Sequence, residues 1–353
     1  MIYKNLIKPF LFMMEPETAH SFTIISQSVL SSLRLNKIIK LFFNYSEPLL
    51  ETEVFGIKFN NPVGLPAGCD KDGKALDIWG SYGFGFATIG SVVYSPQPGN
   101  PKPRLFRLID ERSLQVNLGL NSKGALSFYE IFKKKKKRST IPLGISIART
   151  TDIDESEVVD DYLKSFKTLY ELPDYFEINV SCPNINNICF FNLNMLPKLL
   201  EKIQENNYKK KPILIKIGPD LEELELDVIV KNVLDYNIDG VVATNLIKDL
   251  TKINPKKVYK GGISGKLLEK YSNKTINYLY KKSEGRFKIV GLGGIFNGKD
   301  AYEKIKLGAS LVQVYTGMVF EGPGLIKKIL KELVMLLKKD GLDLNKACGI
   351  YHK

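Results

Sequence analysis

In the stretch Asp174-Tyr175-Phe176-Glu177-Ile178-Asn179-Val180-Ser181-Cys182-Pro183-Asn184, an apolar run ends abruptly in two amides, a hydroxyl, a thiol and a proline. Tyr175 to Val180 reads as a buried strand, and Pro183 lacks the N–H needed to continue a central one. The amides and the thiol therefore stand where a strand delivers its carboxyl end into a loop. In parallel α/β folds that edge is where ligands bind. Asn, Ser and Pro are also ordinary turn residues. What argues against a plain turn is that other apolar runs in the chain end in the same way.

The first such run ends in Ala67-Gly68-Cys69-Asp70-Lys71-Asp72-Gly73, which sets Lys71 at a strand's carboxyl end. Others end in Lys216-Ile217-Gly218-Pro219, in Thr244-Asn245 followed by Gly261-Gly262-Ile263-Ser264-Gly265, in Gly291-Leu292-Gly293-Gly294-Ile295, and in Tyr315-Thr316-Gly317. Glycine-rich loops at two adjacent strand ends, with Thr316 as hydroxyl donor, let backbone N–H groups approach a phosphate. A lysine inside a strand is costly unless an anion pairs with it. Lys216 therefore suggests a bound anion or an electron-rich ring. Lys71, flanked by Asp70 and Asp72, reads equally well as a solvated loop residue. Asn179, Asn184 and Asn245 would form a planar amide set for a small polar ring, although each alone is more often a cap or turn residue.

These ends belong to eight runs: Val63–Ala67, Ala87–Ser91, Leu143–Ile147, Tyr175–Val180, Ile213–Ile217, Gly240–Thr244, Lys288–Gly291 and Leu311–Tyr315. Helical patterns separate most of them, as at Ser156–Tyr170, Glu222–Tyr236, Lys266–Lys281 and Lys299–Leu307. That alternation predicts a (β/α)8 TIM barrel. Pro96, Pro98, Pro101 and Pro103 make the second crossover long and shaped. Ahead of the barrel, residues 1–45 read as a two-helix extension, Tyr3–Met14 and Thr18 to about Leu35, separated by Glu15-Pro16-Glu17. A hairpin is expected over Val54–Phe59. The division is an extension (1–45), a barrel (46–340) and a carboxyl-terminal tail (341–353).

Length and composition agree. The 353 residues, 44% hydrophobic, suffice for one large core, and barrels of about 250 residues fold as single units. No apolar run reaches the ~18–20 residues of a membrane span, and the basic, apolar start lacks a cleavage site for a signal peptide. Cys69, Cys182, Cys189 and Cys348 have neither zinc-type nor disulfide-scaffold spacing, so free thiols and no metal are expected. His20 and His352 are the only histidines, which argues against histidine triads and multi-histidine metal sites. The net charge of +13 comes with no nucleic-acid motif. Much of it is scattered lysine plus the run Lys133–Arg138, which reads as a solvated helix end or loop.

Together the motifs resemble the dihydroorotate dehydrogenases, flavin enzymes of pyrimidine synthesis, from about Pro9 to Lys331. The resemblance is carried by Gly-Cys-Asp-Lys-Asp-Gly (68–73), Pro-Gly-Asn-Pro-Lys-Pro-Arg-Leu-Phe-Arg-Leu (98–108), Asn-Val-Ser-Cys-Pro-Asn (179–184), Gly-Gly-Ile-Ser-Gly (261–265) and Leu-Val-Gln-Val-Tyr-Thr-Gly (311–317). Pro16-Glu17-Thr18-Ala19-His20 and the two helices look like the membrane-associated, quinone-using class. The resemblance implies FMN at the barrel mouth. Gly265, Gly294, Thr316 and Gly317 would hold its phosphate, with Ala67, Ser91, Lys216 and Thr244 around the flavin. Lys71, Asn179, Asn184 and Asn245 would hold dihydroorotate or orotate, and Cys182 would be the base. His20, Arg107 and Tyr315 would line a quinone tunnel. It also implies peripheral attachment at the cytoplasmic face of an inner membrane, which suits a basic, apolar, non-spanning helix pair. The extension would form only the quinone entrance, so its removal is expected to spare flavin reduction by substrate.

The chain departs from the family pattern at several positions. Cys182 stands where the quinone class has serine, and a thiol of pKa about 8.5 is the better base. Val116 occupies the place of a substrate-contacting asparagine, and Asn117, one residue on, would face the other way in a strand. Ser146 replaces an FMN-binding asparagine, and Leu246 a threonine or serine. The segment after Asn184 lacks the usual small-residue opening. These changes leave room for a related FMN oxidoreductase of another small cyclic amide or imide. They also leave room for a non-catalytic flavin-binding barrel at a membrane surface.

Overall fold

The computed structural model of the chain describes residues 2–133, 139–181 and 193–353. Eight parallel strands close a barrel. They are β1 (Val63–Leu65), β2 (Phe86–Val92), β3 (Leu143–Ile147), β4 (Tyr175–Asn179), β5 (Ile213–Ile217), β6 (Gly240–Ala243), β7 (Lys288–Leu292) and β8 (Leu311–Gln313). Each strand pairs with its neighbours in sequence, and β8 pairs with β1. Every expected strand enters the barrel, because a run buried on both faces is mostly apolar and so stands out in sequence.

The register divides the barrel interior into two layers. Toward the amino ends of the strands, Phe86, Tyr175, Leu214, Val242, Val290 and Leu311 form an apolar layer. Val54 and Phe59 of the hairpin Thr52–Val54/Ile57–Phe59 pack against it from below. Burying each such large side chain stabilises the fold by about 1.5–3 kcal/mol. Above this layer the inward residues are polar: Thr88, Ser146, Glu177, Lys216 and Gln313 are all buried. A stable apolar base thus supports a polar layer that is costly to bury.

Two features depart from the sequence reading. A three-stranded antiparallel sheet joins Leu105–Leu108, Ser113–Val116 and Gly262–Gly265. Its long-range pairing leaves no local signal, and residues 262–265 read only as a glycine-rich loop. The extension, expected as two helices, holds a third. A π-turn at Tyr3–Ile7 leads into α1 (Lys8–Met13), and α2 (Pro16–Ser32) is followed by α3 (Asn36–Phe43). Arg34 at φ 59° breaks the helix after α2. The α3 segment then recovers helical form by burying Ile39 and setting Phe43 against Tyr82, with ring centroids 5.3 Å apart. The Asn36 amide also donates to Asp77 O at 3.1 Å.

The carboxyl-terminal tail packs onto the barrel, with Leu344 and Ala347 buried and Gly349 N donating to Ile305 O at 3.0 Å. Lys133 ends the helix Ala125–Lys133, and the rest of the basic run Lys133–Arg138 lies outside the described residues. Within those residues no helix is long and apolar enough to cross a membrane.

Candidate active site

A cavity of ≈ 300 Å³ opens at the carboxyl ends of the strands, between the barrel, the three-stranded sheet and α2. Its wall includes Ala67, Lys71, Ser91, Asn179, Lys216, Thr244, Asn245, Gly265, Gly294, Thr316 and Gly317. His20 and Tyr315 line the same space. Residues spread over nearly 300 positions of sequence therefore converge, because parallel strands deliver all their carboxyl ends to one rim. Cys182 and Asn184 lie outside the described residues. Arg107 does not line the cavity. Its guanidinium donates to the carbonyls of Leu11 (3.1 Å), Phe12 (3.4 Å) and Met14 (2.8 Å), closing the carboxyl end of α1.

The amides form a linked group. Asn179 Nδ2 donates to Ser91 Oγ at 3.0 Å, and Ser91 Oγ lies 2.8 Å from Ser146 Oγ. Asn245 Nδ2 donates to Ser181 Oγ at 3.1 Å, and Ser181 Oγ in turn donates to Asn179 Oδ1 at 3.1 Å. Ser146 therefore sits one layer behind the wall, holding Ser91. Lys71 Nζ reaches Asn121 Oδ1 at 2.7 Å. Asn121, which sequence reasoning passed over, also lines the cavity. Val116 faces the cavity, whereas Asn117 accepts from Asn100 Nδ2 at 2.9 Å, on the opposite side. The alternation of side chains along a strand settles that orientation.

Lys216 requires a correction. A bound anion or an electron-rich ring is the expected explanation of its burial, but Glu177 Oε1 lies 3.2 Å from Lys216 Nζ and the carboxylate is fully buried. Protein charge already pairs with the lysine. Glu177 could have been noticed in the sequence as a charged residue within an apolar strand.

Backbone geometry requires glycine at two turns of the cavity wall. Gly265 has φ +100°, and a Cβ there would stand 2.6 Å from Arg112 O. Gly294 has φ +76°, and its Cβ would meet Glu269 Cβ at 2.4 Å. Both conditions exclude a side chain. Ser264 Oγ and Thr316 Oγ1, 2.8 Å apart, tie the first loop to the helix Thr316–Glu321.

Polar atoms left over in the site test it for a flavin. Thr244 Oγ1 and Gln313 Oε1 are buried, lack a hydrogen-bond partner, and belong to residues of the cavity wall. Such atoms cost roughly 1–3 kcal/mol each when unsatisfied. A flavin ring, edged with carbonyl and N–H groups, would satisfy them, and the residues present fit that group. Among the described residues no His/Cys/Asp/Glu cluster is arranged to hold a metal ion.

The α2 wall of the cavity is mixed, with Glu17, His20 and Ser21 beside Ile24 and Ile25. His20 Nδ1 lies 3.2 Å from Tyr315 OH. Burial, aided by the charge of Lys71, pushes the His20 pKa down to about 4, against the opposing pull of Glu17. Burial also drives the Tyr315 phenol well above its ordinary range. Both groups are therefore neutral near pH 7. Glu17, another residue the sequence reading did not place, accepts from Arg104 Nη2 at 2.8 Å and from Nε at 3.1 Å, fastening α2 to the three-stranded sheet. Such a two-point carboxylate–guanidinium pair is geometrically specific.

The chain is similar to known proteins in sequence and in fold. The sequence profile described as dihydroorotate dehydrogenase matches residues 49–337. The dihydroorotate dehydrogenase (quinone) of Trichodesmium erythraeum (strain IMS101) is 38% identical, covering 100% of this chain and 99% of its own. That of Nostoc punctiforme is 39% identical, covering 99% and 98% respectively. The solved structure of DHODH from Eimeria tenella in complex with ferulenol superposes with a TM-score of 0.83 at 28% identity, over 96% of each chain. The ligand-free form from the same organism gives 0.84 at 28% identity, over 96% of this chain and 99% of that one.

Proposed function

The chain belongs to the dihydroorotate dehydrogenase family, and we infer that it oxidises dihydroorotate to orotate in pyrimidine biosynthesis, with a quinone as electron acceptor. The observation that carries this reading is one cavity that joins Lys71, the linked amides of Asn179 and Asn245, the two glycine loops, and the α2 wall with His20, Ile24 and Ile25. In this reading residues 1–45 serve the quinone, residues 46–340 hold flavin and substrate, and residues 341–353 form a packed tail.

The flavin is FMN in our reading, because the cavity presents a phosphate cradle in Gly265, Gly294, Thr316 and Gly317. Ala67, Ser91, Lys216 and Thr244 would surround its ring. When bound, that ring supplies the acceptor for hydride from substrate and the donor of electrons to quinone.

Substrate handling falls to the chain's own groups. The Lys71 ammonium, held by Asn121 Oδ1, offsets the charge of the dihydroorotate carboxylate. Asn179 and Asn245, with Asn184, present amide edges that match the ring's carbonyl and N–H groups and fix its orientation. Cys182, three positions beyond Asn179 in the sequence, removes the proton from the ring carbon next to the one that loses hydride. A thiol suits that task better than a hydroxyl because its pKa, about 8.5, lies closer to the working pH.

Attachment is to a membrane surface, at the cytoplasmic face of an inner membrane. Support comes from apolar side chains turned outward on the extension: Leu6, Phe10, Met13, Phe22, Leu41 and Phe42 are all exposed. Peripheral binding grows with such apolar area and with basic charge.

Anaerobic mixing with dihydroorotate tests the function. Flavin absorbance should bleach and return on adding a quinone. A flavin that stays oxidised would point to a different cyclic amide as substrate, and protein without flavin would overturn the reading.

A further inference from the structure

Glu321, the last residue of the helix Thr316–Glu321, joins three segments of the cavity wall to the amino terminus. Its carboxylate lies 2.6 Å from Lys4 Nζ and also pairs with the Arg112 guanidinium. Its side chain is 16% exposed, whereas those of Lys4 and Arg112 are 54% and 42% exposed. Arg112 O accepts from Lys266 N at 3.3 Å, directly after Gly265. The Arg112 guanidinium lies 4.3 Å from the ring centroid of Phe296, in the loop that follows Gly294. The Gly265 turn, the Gly294 loop and the Thr316 helix therefore all bear on the Arg112–Glu321 pair.

The beginning of the chain presses on the same group from outside. Tyr3 OH donates to Val319 O at 2.7 Å. The Tyr3 ring packs on Gly322, where an added Cβ would stand 2.4 Å from it. Phe12 meets Phe320 edge-on at 5.7 Å, and Lys8 Nζ lies 5.3 Å from the centroid of the same ring. None of these contacting residues lines the cavity beside His20.

We propose that residues 3–12 brace the phosphate cradle through Glu321, so that the amino-terminal extension helps to retain the flavin as well as forming the quinone entrance. The proposal rests on the reading that the cradle takes the FMN phosphate. It revises the expectation that removing the extension spares the flavin half-reaction. Docking of the first helix and binding of the phosphate stabilise the same arrangement of loops, so each favours the other.

The test uses full-length protein stripped of flavin and titrated with FMN or riboflavin by fluorescence quenching, with circular dichroism to verify folding. Glu321→Gln separates a brace from simple electrostatics by sign. Removing a negative charge near a phosphate would tighten FMN by Coulomb attraction, whereas loosening the brace weakens it. The expected result is FMN affinity lower by about tenfold, the usual size of coupling between sites, with riboflavin affinity unchanged. Tyr3→Ala, which alters no charge, should weaken FMN in the same direction and decides the matter if Glu321→Gln does not fold. Folded variants with unchanged or tighter FMN binding would overturn the brace. Thr316→Val reports on the underlying reading: if it weakens FMN while the brace variants do not, the cradle stands and only the brace is lost. Equal affinity for FMN and riboflavin in every protein would remove the cradle and the brace together.

Discussion

Lys216 Nζ and Glu177 Oε1 lie 3.2 Å apart inside the barrel, on the adjacent strands β5 and β4, with both residues buried. The register that places Asn179 opposite Lys216 puts Glu177 one inward position below, so the ion pair sits directly under the cavity. Glu177 Oε2 has no partner. The carboxylate is thus committed to the lysine on one side only, and the lysine is held at the cavity floor by a charge that comes from the fold.

Breaking this pair from one side should be expensive. Glu177→Leu leaves Lys216 without its counter-charge and is expected to cost about 3–5 kcal/mol. The double variant Glu177→Leu/Lys216→Met should recover most of that loss. Urea unfolding of the flavin-free proteins measures both, and additive losses would show that the two residues do not act as a pair.

Val116 faces the cavity at a position where the family pattern has an asparagine. If the substrate ring lies against it, Val116→Asn adds a hydrogen-bond partner worth roughly 1 kcal/mol. The dissociation constant for orotate should then fall by about fivefold. An increase would mean that Val116 packs against an apolar part of the bound molecule.

His20 is held near pKa 4, below its ordinary 6.5, by burial and by the charge of Lys71. In the unfolded chain it takes up a proton near its ordinary value, before the folded form does. Its contribution to stability is therefore complete above about pH 6.5 and falls away as pH drops toward 4. Unfolding measured across that window should flatten in His20→Phe relative to wild type. The rate of quinone reduction should show no inflection near pH 6.5 that this variant removes.

Lys304 is fully buried, and burial lowers its pKa to about 7 despite the attraction of Glu269 and Asp300. Its ammonium donates to Ser272 Oγ at 2.8 Å and to Asn273 Oδ1 at 2.7 Å. Between pH 7 and its ordinary value the unfolded chain binds the extra proton, so stability should rise with pH over that range. In Lys304→Met that part of the slope should vanish, as denaturant titration at pH 7 and 9 would show. An unchanged slope would assign the effect to other groups.

The eight barrel strands were legible in the sequence, because strands buried on both faces are mostly apolar and the helices between them are periodic. The glycine loops, the amides at strand ends and Lys216 were legible too, since each is an unusual residue for its place. Asn121 and Glu17 were not. Each gains its role from a partner far away in the chain, Lys71 in one case and Arg104 in the other. The three-stranded sheet and the Glu321 contact have the same origin.

By itself the sequence determined which segments are barrel strands and which residue types gather at their ends, because those depend on local pattern. The tertiary structure decided which groups pair. It supplied Lys216 with Glu177 instead of an external anion, and turned Val116 inward and Asn117 away. It also set the first helix against the helix Thr316–Glu321. Pairing is a matter of distance in space, and residues such as Lys4 and Glu321 carry no mark of each other until the chain has closed the barrel.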